Sequence, residues 1–367
     1  MRSTFAVIAG GGTAGHVHPG LAVAQALVAK GHDPETILYV GTERGVETEL
    51  VPEAGFELAT VHGRGVPRTF SLAAMRAAGD LMRGTLEAAR LLGQREPGVV
   101  LSLGGYAAVP CAVAARLRRI PVVIQEQNAV PGAANRLISR WAVAAAVSFP
   151  DTPLPAAVFT GNPVRPEISD ALGLERHQAR DAVGVDDQQF LIVITGGSLG
   201  ALRLNVATLE AAEVLGDRED LVLRHVIGKR DWEMLEPRRA AMARHQAYQP
   251  IEYETDMPTV LAAADLVVSR AGASIVAELA VAGVPSVLVP LPGAPGDHQT
   301  ANARALVDVG GALLIKDADF TGETLVEAVE DLVADPERLS AMGTAAASAG
   351  RVDAADRVAA MLEEHAA

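Results

Sequence analysis

The sequence predicts an α/β protein made of two Rossmann-like domains whose parallel sheets face each other across a deep cleft. Short apolar runs alternate with longer helical segments along nearly the whole chain, a pattern typical of parallel sheets covered by helices on both faces. Both halves open with the same order of strand, glycine-rich turn and helix. The chain has 367 residues, of which 49% are hydrophobic, and this is enough for two domains with separate cores.

The predicted strands are short runs rich in Val, Ile and Leu, bounded by turn residues. In the first half they are Phe5–Ala9, Ile37–Val40, Glu57–Val61, Val99–Leu103 and Val122–Gln125. In the second half they are Phe190–Thr195, Leu221–Ile227, Leu266–Ser269, Ser286–Pro290 and Ala312–Ile315. Helical segments rich in Ala and Leu connect most of them.

Glycine and proline interrupt this alternation at Gly161–Pro166, which predicts a hinge there. We therefore expect an N-terminal domain over 1–163 and a C-terminal domain over 164–352. A last helix, about Asp353–His365, follows the final strand with no further strand to reach. We expect 353–367 to pack back on the N-terminal domain.

Composition excludes several classes of protein. The net charge is −14, with +3 on residues 1–165 and −17 on the remainder, so a nucleic-acid-binding protein is disfavoured and an anionic surface would be met by the first half. Glycines and prolines break both long uncharged stretches, Ser3–Ala29 and Leu279–Gly296, which excludes a continuous membrane span. The run Phe5–Ala9 is too short for a signal peptide, and the single cysteine, Cys111, fits a reducing compartment. We expect a soluble, cytoplasmic protein.

The first glycine-rich turn, Gly10–Gly15, matches the G-x-G-x-x-G pattern of dinucleotide-binding folds. The match alone is weak, because a structural tight turn uses the same glycines. A nicotinamide site also needs an acidic residue at the end of the second strand, and here the first acid, Glu43, lies beyond that strand. His16 and His18 follow the turn directly. We expect His16 to project toward a ligand as a proton acceptor near neutral pH, with a structural role as the alternative.

The segment 269–278 follows a predicted strand and opens a helix. Gly272 lets a ligand approach the backbone, and free N–H groups at Ala273–Ile275 would face an anion. Glu278 lies four residues after Ser274, so both share one helix face. This spacing suits a phosphate at the helix tip and a ribose on the carboxylate. A solvated surface glutamate is the alternative.

Polar residues follow two further strands, at Gly296–Ala303 and at Glu126–Asn128. The carboxyl edge of a parallel sheet is where α/β proteins bind ligands. Asp297 and His298 are too few for a metal site, so hydrogen bonding to sugar hydroxyls is the better use of these side chains.

Arginines and large apolar residues are interleaved between residues 64 and 95, and again over 136–141. The arginines are Arg64, Arg68, Arg76, Arg83, Arg90, Arg95, Arg136 and Arg140. A basic amphipathic helix of this kind can lie on an anionic bilayer. The alternative is an ordinary helix that packs its apolar face inward.

Taken together, the motifs resemble the MurG family of peptidoglycan N-acetylglucosaminyltransferases over nearly the whole chain. The matching motifs are Gly11–Gly20, Gly104–Tyr106, Gln125–Asn128, Gly161–Arg165, Gly196–Gly200, Gly272–Glu278 and Asp297–Ala303. Two positions depart from the family pattern. Ala14 stands where many members carry glycine, and His298 stands where some carry glutamine, which leaves open whether His298 or Gln299 touches the sugar.

The resemblance implies a GT-B fold and a UDP-N-acetylglucosamine (UDP-GlcNAc) donor held mainly by the C-terminal domain. The resemblance implies that Ser198, Ala273, Ser274 and Ile275 hold the diphosphate, that Glu278 binds the ribose and that the backbone of Tyr253–Thr255 contacts the uracil. It implies that Gln299 and Asn128 bind the GlcNAc hydroxyls. Thr13, Ala14 and Gly15 are expected to close over the donor from the N-terminal domain, with Arg165 near the hinge.

The resemblance also implies an inverting transfer of GlcNAc to the 4-hydroxyl of lipid I, a muramoyl-pentapeptide on a polyprenyl diphosphate, to give lipid II. His16 is the expected general base and Glu126 the second candidate; no metal or cofactor is expected. The acceptor is expected on the N-terminal domain, with the protein held peripherally at the inner leaflet of the cytoplasmic membrane and other cell-wall synthesis proteins as candidate partners. The alternatives are another GT-B enzyme, such as a glycolipid glycosyltransferase or a UDP-GlcNAc 2-epimerase, and a non-catalytic nucleotide-sugar-binding subunit.

Overall fold

The computed structural model describes residues 4–62, 72–197, 200–242 and 244–367, and over 72–78 it describes the backbone alone. Within these residues the strands form two separate sheets, one of seven strands and one of six, and every strand pairing is parallel. The predicted α/β class with two parallel sheets is confirmed.

The first sheet has the strand order β3-β2-β1-β4-β5-β6-β7. Its strands are β1 (Ala6–Ala9), β2 (Ile37–Gly41), β3 (Glu57–Thr60), β4 (Val99–Ser102), β5 (Val122–Glu126), β6 (Ala144–Val147) and β7 (Ala157–Phe159). The helices between them are α1 (Ala14–Ala29), α2 (Glu47–Glu53), α3 (Leu72–Arg95), α4 (Ala108–Leu117) and α5 (Ala133–Ile138).

The second sheet has the strand order β10-β9-β8-β11-β12-β13. Its strands are β8 (Phe190–Thr195), β9 (Leu221–Val226), β10 (Tyr248–Ile251), β11 (Leu266–Ser269), β12 (Ser286–Leu288) and β13 (Ala312–Leu314). The helices of this half are α6 (Pro166–Ala171), α7 (Arg176–Val183), α8 (Leu202–Leu215), α9 (Lys229–Trp232), α10 (Glu236–Met242), α11 (Met257–Ala263), α12 (Ala273–Ala282), α13 (His298–Val307), α14 (Gly322–Val333) and α15 (Pro336–Ala349). A last helix, α16, spans Ala354–His365.

Alternation along β1 explains why the first sheet is buried on both faces. Ala6 and Ile8 belong to one apolar cluster and Val7 and Ala9 to another, because successive side chains of a strand point to opposite faces. All four residues are fully buried. Helices therefore cover both sides of the sheet, and the ends of its strands are left to carry polar side chains.

The chain divides into two compact units, residues 1–165 with 351–367, and residues 166–350. The helix α16 belongs to the first unit, where it packs against α1 and the strands β4–β6. Lys30 and His32 both bond the Glu363 carboxylate, at 3.3 and 3.0 Å. None of the described helices is long and apolar enough to cross a membrane.

Candidate functional site

The first glycine-rich loop joins β1 to α1, and its end and the first turn of α1 together carry four of the predicted site residues. Thr13 is the N-cap residue of α1, but its side chain makes no capping bond. Instead, Thr13 Oγ1 lies 3.0 Å from His16 Nδ1. Ala14 and Gly15 form the first turn of the helix, where backbone N–H groups have no partner inside the helix. Thr13 and Gly15 are exposed, so this end of α1 can meet an oxygen-rich ligand.

The two histidines after the loop differ as proton acceptors. Burial lowers the pKa of His16 below 6.5, and the Glu47 carboxylate opposes that shift. Burial and the Arg165 guanidinium lower the pKa of His18 to about 4. A general base works best when its pKa lies near the working pH. The carboxylate of Glu47 favours protonation of His16, whereas the guanidinium of Arg165 opposes protonation of His18. This difference in neighbouring charge makes His16 the preferred candidate for the base.

Glu47, at the start of α2, holds the same loop from inside the unit. It is fully buried, and its Oε2 accepts a 2.8 Å hydrogen bond from the backbone N–H of Gly12. Its Oε1 accepts from the N–H and the hydroxyl of Thr42, both at 2.8 Å. Sequence reasoning missed this residue, because 35 positions separate it from Gly12. The available signal is a set of glycines: a Cβ at Gly11 or Gly45 would come within 2.2 or 1.9 Å of the carboxylate.

Glu126 ends β5, and its buried carboxylate accepts four hydrogen bonds. Oε1 accepts from the backbone and side-chain nitrogens of Asn128, at 3.0 and 3.4 Å. Oε2 accepts from the N–H of Gly132 and from Asn135 Nδ2, at 3.1 and 2.9 Å. Burial raises the pKa of Glu126, and these donors oppose the rise. With its oxygens engaged in this way, Glu126 is suited to holding Asn128 and the start of α5 in place.

In the second unit, α12 begins with three N–H groups that no side chain of the described residues caps. Its N-cap residue is Gly272, beside which a Cβ would meet no atom within 4 Å. The N–H groups of Ala273, Ser274 and Ile275 lie in the first turn, so an anion can approach them along the helix axis. The Ser274 hydroxyl oxygen is buried and has no hydrogen-bond partner among the described residues. Glu278 is buried one turn further along the helix.

Gln299 lies beside this helix start. Its Oε1 accepts hydrogen bonds from the N–H groups of Ala271 and Leu291, at 3.2 and 2.9 Å. Its amide NH₂ is therefore the group left to donate to a ligand. The neighbouring His298 uses Nδ1 to donate to the carbonyl oxygen of Pro295 at 3.0 Å. The structure thus brings Gln299 and the start of α12 together, as a shared ligand site requires.

Three further residues were predicted to bind the donor or to lie near the hinge. Ser198 lies outside the described residues, as does the basic segment over 63–71. Tyr253 is 46% exposed, with the Lys229 ammonium 4.9 Å from its ring centre. Arg165 is half-buried at the end of the first unit, where its charge acts on His18. Among the described residues, no cluster of three or more His, Cys, Asp or Glu side chains could hold a metal ion.

Both halves of the chain match domains of one known protein family. Residues 6–147 match the glycosyltransferase family 28 N-terminal domain, and residues 191–358 match the family 28 C-terminal domain. The chain is 39% identical to a UDP-N-acetylglucosamine--N-acetylmuramyl-(pentapeptide) pyrophosphoryl-undecaprenol N-acetylglucosamine transferase of Desulfitobacterium hafniense, over 96% of each chain. It is 44% identical to the transferase of the same name from a Nocardioides species, over 98% of this chain and 97% of the relative. The chain belongs to the MurG family of glycosyltransferases.

Solved structures agree with this membership. The chain resembles the crystal structure of Acinetobacter baumannii MurG with a TM-score of 0.76 and 31% identity, over 99% of this chain and all of that one. A UDP-GlcNAc 2-epimerase from Neisseria meningitidis has a TM-score of 0.69 but only 16% identity, over 98% of this chain and 99% of that one. The epimerase therefore shares the fold alone, whereas the MurG family shares sequence and fold. The predicted resemblance is confirmed.

Proposed function

We propose that this enzyme is an inverting transferase that moves GlcNAc from UDP-GlcNAc to the 4-hydroxyl of lipid I, giving lipid II for peptidoglycan synthesis. The observation that carries the proposal is near-complete coverage, at 38–44% identity, by relatives that bear this transferase name. A UDP-GlcNAc 2-epimerase is disfavoured, because the epimerase compared above is only 16% identical. A glycolipid glycosyltransferase is disfavoured, because the relatives named above all bear the muramyl-pentapeptide transferase name. A subunit that only binds the nucleotide sugar would have no use for a histidine with a neighbouring carboxylate at a ligand-facing loop.

In this proposal the C-terminal domain, 164–352, holds the donor. The N–H groups of Ala273, Ser274 and Ile275 bind the diphosphate together with Ser198, and the buried Glu278 binds the ribose. Gln299 donates its amide hydrogens to the sugar, because its oxygen already accepts two backbone bonds. As the bond between the anomeric carbon and the phosphate oxygen breaks, the electron pair leaves with UDP. The positive end of α12 stabilises that charge.

The N-terminal domain, 1–163, takes the acceptor and removes its proton. The acceptor 4-hydroxyl attacks the anomeric carbon while its proton passes to Nε2 of His16. Nδ1 then carries the other ring hydrogen and donates it to Thr13 Oγ1, 3.0 Å away. Thr13, Ala14 and Gly15 offer backbone groups to the sugars, Asn128 reads a GlcNAc hydroxyl, and Arg165 adds positive charge. Glu126 holds Asn128 in place by accepting its hydrogen bonds.

We propose peripheral binding to the inner leaflet of the cytoplasmic membrane, with other cell-wall synthesis proteins as partners. Met82 and Leu86 on α3 are 69% and 57% exposed, and Leu117 at the end of α4 is 73% exposed. The helices α3 and α4 pack against each other. Arginines flank all three residues, and apolar side chains with basic neighbours bind anionic bilayers.

The membrane proposal predicts salt-sensitive binding to vesicles that contain phosphatidylglycerol. Leu86→Gln and Leu117→Gln should each weaken cosedimentation with the vesicles, because they remove apolar area that enters the bilayer. Val214→Gln, which changes an exposed apolar residue of the second unit, is the matched control. If all three variants bind the vesicles as well as the wild type does, or if added salt does not weaken binding, this surface is not the membrane-binding surface.

The transferase proposal is tested by following labelled GlcNAc from UDP-GlcNAc to a short-chain lipid I analogue. We expect robust transfer by the wild type and a loss of about 100-fold or more in His16→Ala, because general-base catalysis is worth about 10²–10⁴-fold. Glu126→Gln should lose less, with a higher KM for UDP-GlcNAc, since it disturbs Asn128.

Other results would reassign the roles. A His16→Ala variant with nearly unaffected transfer would move the base elsewhere, first to Glu126. A wild type that binds UDP-GlcNAc but transfers nothing to the analogue would overturn the lipid I acceptor.

A further inference from the structure

The buried carboxylate of Glu47 contacts neither the donor nor the acceptor in the scheme proposed above. It lies on α2 and is fully buried. Burial of an ionised carboxylate in a protein interior is costly in free energy unless hydrogen-bond donors surround it. Three donors do surround this one, and each lies at 2.8 Å: the N–H of Gly12, and the N–H and hydroxyl of Thr42. Glu47 therefore ties the first glycine-rich loop to the turn after β2.

The sequence leaves space for this carboxylate by omitting side chains around it. A Cβ at Gly11, Gly41 or Gly45 would lie 2.2, 2.5 or 1.9 Å from the nearest Glu47 atom. Backbone N–H groups in a glycine-rich turn after the first strand bind ligand phosphates in dinucleotide folds. Here the N–H of Gly12 is already bound to an internal carboxylate. That arrangement fixes the loop before any ligand arrives.

The proposed base, His16, lies in the first turn of α1, which begins directly after this loop. Thr13 follows Gly12 directly and contacts His16. Among the described residues, Glu47 is the charged group that acts on His16, whereas the nearby His18 responds to Arg165. Glu47 also acts, together with burial, to raise the pKa of Tyr39, whose hydroxyl lies close to Gly20.

We propose that Glu47 is a positioning residue for the transfer reaction. It holds the loop from which α1 begins, and so fixes Thr13 and the first turn of α1 with His16. Its negative charge stabilises the imidazolium that forms when His16 takes the acceptor proton. The inference rests on the proposed function in assigning His16 as the base. The contact between Glu47 and the loop does not depend on that assignment. Glu47 has no direct contact with the reacting atoms in this scheme.

The test combines an NMR titration with the transfer assay on the full chain. Ring-labelled histidine reports the pKa of His16 directly, with His16→Gln assigning the signal. Glu47→Gln should lower that pKa by about 0.5 unit or more, because a neighbouring opposite charge favours the protonated form. The acid limb of kcat/KM should move to lower pH by the same amount. At pH 7.5, kcat should fall by about tenfold or more, with KM for UDP-GlcNAc changed less than about twofold.

Two further variants separate charge from structure. Glu47→Asp keeps the charge and should retain the acid limb of the wild type even where kcat falls. Glu49→Gln removes the same charge from an exposed position on the same helix and should change neither the titration nor the rate. UDP-GlcNAc binding by calorimetry, unchanged in all variants, shows that the donor-binding unit is intact. If Glu47→Gln does not fold, Glu47→Asp against Glu49→Gln still decides whether the position matters.

The outcomes are distinct for the two proposals. A Glu47→Gln variant whose His16 titration and acid limb are unmoved would overturn the electrostatic role, and one with wild-type kcat would overturn the positioning role. If the wild type binds UDP-GlcNAc but transfers nothing, the proposed function fails. The NMR titration then still decides whether Glu47 acts on His16.

Discussion

At the scale of single residues, His225 shows how a polar group is accommodated in the interior of the second unit. This fully buried histidine lies on β9, with Nδ1 3.0 Å from the Tyr248 hydroxyl and Nε2 3.0 Å from Asn205 Oδ1. Asn205 uses its NH₂ to donate to the Ile227 carbonyl and to Asp231. Its Oδ1 is therefore an acceptor, which places the ring hydrogen of His225 on Nε2 and leaves Nδ1 to accept from Tyr248.

The neutral ring predicts a dependence of stability on pH. Burial lowers the pKa of His225 to about 3, while the unfolded chain has the ordinary value of about 6.5. Below that value the unfolded state binds the extra proton, so the stabilisation is complete above pH 6.5 and is lost as the pH falls. At pH 5 the loss from this group should reach about 2 kcal/mol relative to pH 7.5.

Urea unfolding of the second unit at pH 7.5 and at pH 5 measures the contribution of His225 to the free energy of unfolding. The wild type should lose more stability between pH 7.5 and 5 than His225→Gln, whatever the stability of the variant at pH 7.5. His177→Gln, at an exposed position on α7, should keep the wild-type difference. Identical losses in the wild type and in His225→Gln would show that the ring is protonated in the folded state.

The residues of the candidate site were predictable to different degrees. Ser274 was predictable from a local pattern, because strand–turn–helix geometry places it at a helix start. Thr13 was predicted only from the resemblance to the family. The function of Glu126 as a fourfold acceptor did not follow, because its donors belong to a loop and to α5. Glu47 was missed altogether, because its partner Gly12 is 35 positions away and only the fold brings them together.

At the scale of elements, the predicted strands agree with the structure wherever apolar β-branched residues are concentrated. Phe190–Thr195 and Leu266–Ser269 have the predicted bounds, and the other eight predicted strands differ by no more than two residues at either end. Three strands were not predicted, and each has a physical reason. β6 is Ala-Ala-Ala-Val, which has weak β-propensity. β7 is exposed at the edge of its sheet.

The third missed strand, β10, contains Pro250. Proline lacks an N–H for the ladder and is confined to edges of sheets. β10 indeed lies at the edge of the second sheet, paired only with β9 among the described strands. Pro250 therefore accounts both for the weak strand pattern of this segment in the sequence and for its position at the edge of the sheet.

At the scale of the whole molecule, the two units differ in how the chain builds them. Among the residues that the structure describes, the main apolar cluster of the second unit consists of residues between 190 and 342. The second unit is continuous in sequence, from 166 to 350. The first unit is completed by α16, whose Val358 and Leu362 are fully buried in the same cluster as Ile8 and Leu27. Its core is therefore unfinished until the last helix has been made.

This difference predicts unequal behaviour of two fragments. Residues 166–350 alone should unfold in one cooperative thermal transition and bind UDP, because their core and the start of α12 are intact. Residues 1–165 alone should aggregate, because removing α16 exposes the apolar surface that it covers. Fusing or adding residues 351–367 should restore a soluble fold. Calorimetry and size-exclusion chromatography distinguish these outcomes.

Point variants in the full chain show whether α16 stabilises the first unit by apolar packing or by its ion pairs. Leu362→Ala should destabilise the first unit by about 2–5 kcal/mol, the usual range for a buried leucine. Glu363→Gln weakens its bonds to Lys30 and His32, which are partly exposed, and should cost less than about 1 kcal/mol. A soluble, cooperatively folded 1–165 fragment, or equal losses in the two variants, would mean that α16 is not part of the core. The larger loss in Leu362→Ala would instead make the C-terminal helix the final structural element of the unit that carries His16.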